Sequence, residues 1–140
     1  MTYDAAPGSS ERPTVLVGYG LYLLAICSGG ITALIGAIIA YVRRDDARGT
    51  VWESHYRNLI TVFWVGLAFS FIFLAMAFSG VLAAVGLALS DAWTDGDWLA
   101  AVPLLGVAVP LVMLAWAAFA LWYLFRVIRG FLRALDDKAY

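Results

Sequence analysis

The sequence has little charge, one cysteine and one histidine, and each shortage excludes a class of protein. Only 14% of the 140 residues are charged, whereas 64% are hydrophobic. The single cysteine, Cys27, excludes an intramolecular disulfide. The sequence also lacks a cluster of metal ligands, a glycine-rich phosphate loop and a nucleophile paired with a base. We therefore expect no catalytic residue, no cofactor, no metal site and no nucleic-acid partner.

The charged residues are absent from three long stretches of the chain. These stretches cover residues 13–42, 58–90 and 98–125, and they are 30, 33 and 28 residues long. A helix rises about 1.5 Å per residue and the hydrocarbon core of a bilayer is about 30 Å thick, so about 20 apolar residues suffice to cross it. Each stretch is long enough to span a membrane.

These stretches predict an all-α integral membrane protein with three transmembrane helices. Hydrocarbon offers no water to unpaired backbone groups, so a span must be a helix or part of a closed barrel, and unbroken apolar runs do not fit the alternating strands of a barrel. The predicted organisation is a disordered tail at 1–14 followed by a single helical membrane domain at 15–140. The three spans are expected at about 15–42, 58–90 and 99–125. A cytoplasmic loop at 43–57 and a periplasmic loop at 91–98 connect them, and a cytoplasmic tail follows at 126–140.

The distribution of basic residues predicts the orientation of the chain. Four arginines lie between the first two runs, and three arginines and a lysine follow the third, whereas the loop between the second and third runs has three aspartates and no basic residue. Because lysine and arginine accumulate on the cytoplasmic side, both basic segments are expected there. Three crossings of the inner (plasma) membrane then place the N-terminus outside and the C-terminus in the cytoplasm.

Small residues recur at four-residue spacing in the first run, at Ala25, Gly29, Ala33 and Ala37. On one continuous helix they form a smooth face, where another helix can approach closely. This face either packs against helices of the same chain or forms the interface between two copies of the chain in a homodimer.

The second helix is predicted to begin near Val51, before its span. Thr50 and Glu53 match the capping box, in which the two side chains satisfy amides at a helix start. From Val51 to Phe63, apolar and aromatic residues recur at three- and four-residue spacing, which indicates an amphipathic cytoplasmic start to helix 2.

The residues after the third run predict a basic amphipathic C-terminal tail. Arg126, Arg129 and Arg133 share a helical face, and apolar residues fill the others. Such a tail either binds anionic lipid headgroups or only anchors the chain by its positive charge.

Glu53, Ser54 and His55 do not form a catalytic triad. Neighbours on a helix point about 100° apart, so the three side chains cannot converge. His55 either packs at the interface or has a functional role, which would be to sense pH or to contact a partner. The candidate partner-binding residues are Trp52, His55, Tyr56, Arg126, Arg129 and Arg133.

Two segments carry a resemblance to known proteins. In the first, a basic loop leads to a Ser-His pair and an aromatic Thr-x-Phe-Trp entry into the next span, and in the second the last span ends in an Arg-x-x-Arg-Gly tail. The matching residues are Trp52, Ser54, His55, Tyr56, Thr61, Phe63 and Trp64, then Arg126, Arg129, Gly130, Asp136, Asp137 and Lys138. The pattern resembles a family of small bacterial inner-membrane proteins that is defined as a domain of unknown function. That family is distantly similar to the import-channel subunit of the chloroplast inner envelope, which has four spans.

The sequence favours a non-enzymatic membrane protein that acts by assembly with itself or with a larger membrane complex. The absence of ionisable residues from the three runs favours this reading, because catalysis by proton transfer needs positioned ionisable groups. The alternative is a small channel or transport subunit, whose pore would form between protomers.

Overall fold

The described residues form an all-helical fold, as predicted. A computed structural model of the chain describes residues 11–89 and 101–140, and for residues 101–105 it describes the backbone alone. Its four helices are α1 (Glu11–Ser28), α2 (Ile31–Arg44), α3 (Val51–Ala88) and α4 (Ala101–Leu135). The predicted disorder of 1–14 is wrong at residues 11–14, which begin α1, and residues 1–10 lie outside the described residues. The predicted loop at 91–98, with its two tryptophans, also lies outside them.

The prediction of one helix over residues 15–42 is wrong, because two glycines end α1. Gly29 and Gly30 have φ angles of 64° and 93°, in the left-handed region that glycine adopts without a steric cost. The Gly30 amide donates to the Ala25 carbonyl over 3.0 Å, which is the closing bond of a Schellman motif. The predicted row of small residues is therefore divided between two helices.

The two helices on either side of this turn form a hairpin. A Cβ at Gly36 of α2 would lie 2.8 Å from the Tyr22 ring of α1, so glycine is what allows this close approach. At the tip, the hydroxyls of Ser28 and Thr32 are 2.9 Å apart, and the Thr32 hydroxyl donates to the Leu21 carbonyl over 2.8 Å. The polar side chains at the tip are thus satisfied within the hairpin.

α1 runs antiparallel to α4. Arg12, Tyr19 and Tyr22 of α1 contact Leu135, Gly130 and Tyr123 of α4, respectively. Residue numbers therefore rise along α1 while they fall along α4. The start of α1 also lies beside the end of α2, because Arg43 Nη1 is 3.6 Å from Glu11 Oε1. The first residue of the hairpin, its last turn and the end of α4 therefore lie together in unit 1, which comprises residues 1–66 and 122–140.

α3 begins at Val51, which confirms the predicted start, but the capping differs in detail. The Glu53 carboxylate accepts from the Gly49 amide over 3.0 Å, and the Thr50 hydroxyl donates to the Ala47 carbonyl over 2.7 Å. Glu53 therefore caps one residue earlier than the capping box predicts, and Thr50 closes the preceding turn.

Within the part of the chain that the structure describes, two helices are long and apolar enough to cross a membrane, Val51–Ala88 and Gly106–Leu135. α3 is continuous across Ser79 and Gly80, and α4 is continuous across Pro110. The predicted tail at 126–140 is, up to Leu135, the last part of α4. By contrast, α1 has 18 residues and α2 has 14, each fewer than the roughly 20 that a span needs.

The chain divides into two compact units. Unit 1 comprises Met1–Gly66 and Trp122–Tyr140, and unit 2 comprises Leu67–Leu121. Unit 1 contains the core, whose largest fully buried side chains are Tyr19, Tyr22, His55, Tyr56, Leu59, Val15, Val62 and Val127. In unit 2, the Phe69 and Phe119 rings stack with centroids 4.0 Å apart, and most large apolar side chains are exposed.

Candidate functional site

His55 lies at the centre of unit 1, with no exposed surface and with both ring nitrogens engaged. Its Nε2 is 2.8 Å from the Lys138 carbonyl oxygen, and its Nδ1 is 3.1 Å from the Tyr19 hydroxyl. A carbonyl oxygen can only accept, so Nε2 must carry the proton. In the neutral ring Nδ1 then accepts from the Tyr19 hydroxyl, and the surroundings select one tautomer of His55.

The hydrogen bonds continue beyond Tyr19 in one direction. The Asn58 amide nitrogen donates to the Tyr19 oxygen over 3.1 Å, and Arg126 Nε donates to the Asn58 amide oxygen over 2.8 Å. The chain therefore runs from Arg126 through Asn58, Tyr19 and His55 to the Lys138 carbonyl. We call these five groups the polar cluster, and it joins α1, α3, α4 and the residues after α4.

The electrostatics of the polar cluster favour a neutral histidine. His55 lies in the charged first turns of α3, before the uncharged run that begins at Asn58. Burial lowers the pKa of His55, the hydrogen bond to the Lys138 carbonyl opposes this effect, and the positive charge of Arg133 adds to it. Protonation would also place a second proton on Nδ1, which faces the Tyr19 hydroxyl proton.

The residues after α4 fold back over α3 and cover His55. Asp137 has a φ of 55°, and the Lys138 amide donates to the Arg133 carbonyl over 3.0 Å, so α4 ends in the same motif as α1. The Tyr140 amide then donates to the Ser54 hydroxyl over 2.8 Å. Both ends of the turn are therefore fixed to helices of unit 1.

The Tyr140 ring completes the cover. Its centroid lies 5.5 Å from the Arg126 guanidinium and 5.9 Å from that of Arg129, within the range of cation–π contacts. It also meets the His55 ring edge-on, with centroids 6.3 Å apart. Trp122 lies 5.5 Å from Arg126, so this guanidinium has an aromatic ring from α4 as well as the one from Tyr140.

A second group of contacts fixes the start of α1. The Tyr56 hydroxyl donates to Glu11 Oε2 over 2.7 Å, and Glu11 also faces Arg43. Arg12 Nη2 donates to the Leu135 carbonyl over 2.7 Å, and Arg12 Nε lies 3.6 Å from Asp137. The N-terminal turn of α1 is thus attached to α2, α3 and the end of α4.

The structure separates the residues predicted to bind a partner into two groups. Trp52, His55 and Tyr56 are buried by this chain's own residues, and Arg126 donates to Asn58. Arg129 is exposed, and Arg133 is half-buried, with its Nε donating to the Ala139 carbonyl over 2.7 Å. Arg129 and Arg133 both keep part of the side chain accessible, and neither has an acidic partner among the described residues.

The four residues predicted for helix packing also differ in their positions. Ala25 and Ala37 are buried in the hairpin, Ala33 is half-buried and Gly29 is exposed in the turn. The closest contacts involve other glycines. A Cβ at Gly18 would lie 2.9 Å from Leu59 Cδ1, and a Cβ at Gly130 would overlap the Tyr19 ring.

Sequence reasoning missed Tyr19 and Asn58, which connect His55 with Arg126. Asn58 is the first residue of the second uncharged run, where an amide is costly unless it is hydrogen-bonded. Tyr19 has a glycine on each side, which indicates a tightly approached ring. These two features could have identified both residues, although not their partners.

The chain was also compared with known proteins. No family model, no curated protein and no solved structure matches it. Its function must therefore be argued from its own residues.

Replacing Tyr19 by phenylalanine tests the polar cluster. Tyr19→Phe leaves the Asn58 amide and His55 Nδ1 buried without their partner, so we expect the free energy of unfolding to fall by about 1–3 kcal/mol. Tyr41→Phe is the matched control, because the Tyr41 hydroxyl accepts from Trp64 Nε1 at an exposed position. Thermal unfolding in one detergent compares the two variants, and equal midpoints would contradict a stabilising role for the polar cluster.

Proposed function

We propose that this protein is a non-enzymatic integral protein of the inner membrane that acts by assembly with a second copy or with a larger membrane complex. One observation carries the proposal. Phe71, Ile72, Phe73 and Leu74 are consecutive on α3 and are 64%, 61%, 39% and 64% exposed. Consecutive helical residues point about 100° apart, so these four cover the full circumference of the helix. α3 therefore exposes apolar side chains in several directions at this level, although Ile72 and Phe73 also line a pocket with Leu111 and Val112 of α4.

The extent of this exposed apolar surface supports a membrane location. Exposed apolar area costs about 25 cal/mol per Å² in water, and the exposed side chains continue along α3 and α4. Large contiguous apolar surfaces mark contacts with lipid or with other proteins. Lipid covers such a surface in part, and helices of a partner cover the rest.

The geometry of the polar cluster supports a non-enzymatic role. His55 is the only histidine, and both of its nitrogens are engaged by Tyr19 and by Lys138. A general base must reach a proton of its substrate. In this arrangement His55 stabilises the contact between helices, and a substrate has no access to its ring.

The hairpin favours an orientation different from the one that three crossings predict. The start of α1 meets the end of α4 and the end of α2, where the basic residues accumulate. If basic ends stay in the cytoplasm, the hairpin enters and leaves the membrane on that side. We propose that α3 and α4 are the two complete crossings and that the N-terminus, like the C-terminus, is cytoplasmic.

The family resemblance belongs to the same proposal. Its two segments, one around His55 and one around Gly130, contact the same ring, that of Tyr19. A joint structural role in the polar cluster gives a physical reason for such a paired motif. The channel alternative stays a prediction, since no contact of the described residues favours it over assembly.

Labelling from either side of the membrane tests the orientation. In a Cys27→Ser background, Ser10→Cys, Asp46→Cys and Asp95→Cys are each treated with an impermeant maleimide in intact spheroplasts and in inverted vesicles. We expect Ser10→Cys and Asp46→Cys to react only in inverted vesicles and Asp95→Cys to react only in spheroplasts. Reaction of Ser10→Cys in spheroplasts would contradict the cytoplasmic N-terminus and support three crossings.

Cysteine crosslinking along α3 tests assembly. In the same background, Phe71→Cys, Ile72→Cys, Phe73→Cys and Leu74→Cys differ only in the direction that they face, so each is a control for the others. A partner that covers one side of α3 should be crosslinked at one or two of the four positions, and the mass of the product identifies a second copy or another protein. No crosslink at any position, together with a monomeric mass in mild detergent, would contradict assembly.

A further inference from the structure

The last turns of α4 carry a groove that combines apolar and basic side chains. It is lined by Phe125, Ile128, Arg129, Leu132 and Arg133. Phe125, Ile128 and Leu132 are 62%, 45% and 55% exposed, although they lie on the helix that closes unit 1. An exposed apolar strip beside two arginines is suited to a ligand with a hydrocarbon part and an anionic part.

The ion pairs of unit 1 leave these two arginines without an acidic partner. Arg12, Arg43, Arg48 and Lys138 each lie within 4.0 Å of an aspartate or glutamate, as seen in their pairs with Asp137, Glu11, Asp45 and Asp136. Five arginines have no such pair among the described residues, and of these Arg129 and Arg133 line the groove, whereas Arg44, Arg57 and Arg126 do not. Arg133 Nε donates to the Ala139 carbonyl, and the Arg129 guanidinium lies near the rings of Phe125 and Tyr140.

The spacing of the two arginines adds a reason for an anion to bind there. They are four residues apart on one helix, so their side chains are neighbours and their like charges repel. A phosphate between two guanidinium groups replaces that repulsion with charge-assisted hydrogen bonds. Among the described residues, the outer nitrogens of both side chains donate to no protein acceptor, since the one hydrogen bond of the pair uses Arg133 Nε.

We propose that this groove binds one anionic phospholipid, with its phosphate at Arg129 and Arg133 and an acyl chain along Phe125, Ile128 and Leu132. The proposal rests on the membrane location proposed above, because there the groove lies where α4 leaves its uncharged run. A free phosphate satisfies the arginines but leaves the apolar strip uncovered. A diacyl phospholipid with a net negative headgroup satisfies both.

Native mass spectrometry of the full chain, purified from mixed micelles, tests the site. The micelles contain equal amounts of phosphatidylglycerol and phosphatidylcholine with the same acyl chains. We expect the protein to retain one phosphatidylglycerol molecule in preference to phosphatidylcholine. Arg129→Gln should lower that retention about fivefold, because one favourable contact with a basic residue is lost. Arg129 makes no hydrogen bond in the described structure, so this variant should leave the fold intact.

The control is Arg57→Gln. Arg57 is also exposed and also lacks an acidic partner among the described residues, but it lies outside the groove. Equal losses in the two variants would mean general charge attraction and would overturn the site. Equal retention of the two lipids by the unaltered chain would overturn it as well. Displacement of the lipid by millimolar inorganic phosphate would assign the arginines to a free anion instead.

Flotation of the unaltered protein with phosphatidylcholine vesicles separates this proposal from the one on which it rests. Flotation that resists alkaline carbonate, without a preference for phosphatidylglycerol, would overturn the lipid site alone. Failure to float would overturn the membrane location and the lipid site together.

Discussion

The directional chain of hydrogen bonds from Arg126 to the Lys138 carbonyl is the constraint on which unit 1 depends. Each member has a fixed role, because Arg126 can only donate and a carbonyl can only accept. Asn58, Tyr19 and His55 therefore each accept a hydrogen bond from the preceding group and donate one to the next group. No described buried side-chain nitrogen or oxygen is left without a partner. A chain of this kind is stabilising only when it is complete, since an unpaired buried group costs more than a hydrogen bond contributes.

The polar cluster also explains why this end of the molecule is so closely packed. Tyr19 can reach both His55 and Asn58 because Gly18 lets Leu59 approach α1 and Gly130 lets α4 pass over the Tyr19 ring. The residues after α4 then close the cluster from outside, through the Lys138 carbonyl and the Tyr140 ring. In unit 2, by contrast, most of the described large apolar side chains of α3 and α4 are exposed.

Periodicity and charge predicted the helices well where the signal was local. The start of α3 at Val51 and the all-helical fold follow from capping residues and from long apolar runs. The sequence pattern does not predict the hairpin, because Gly29 and Gly30 lie inside an uncharged stretch that is long enough for one span, and small residues at this spacing also favour a packing face. The polar cluster could not be predicted in full, because His55 and Lys138 are 83 positions apart and their contact depends on how α4 ends.

The nitrogen chemical shifts of His55, recorded by NMR in the full chain with isotopically labelled histidine, test the polar cluster most directly. His55 is the only histidine, so the signals need no assignment. We expect a single neutral tautomer with the proton on Nε2, and a pKa below the usual value of about 6.5. Because the folded state then binds fewer protons than the unfolded chain, stability should be complete above that pH and should decrease below it. Exchange between the two tautomers, or a pKa at or above about 6.5, would contradict the account.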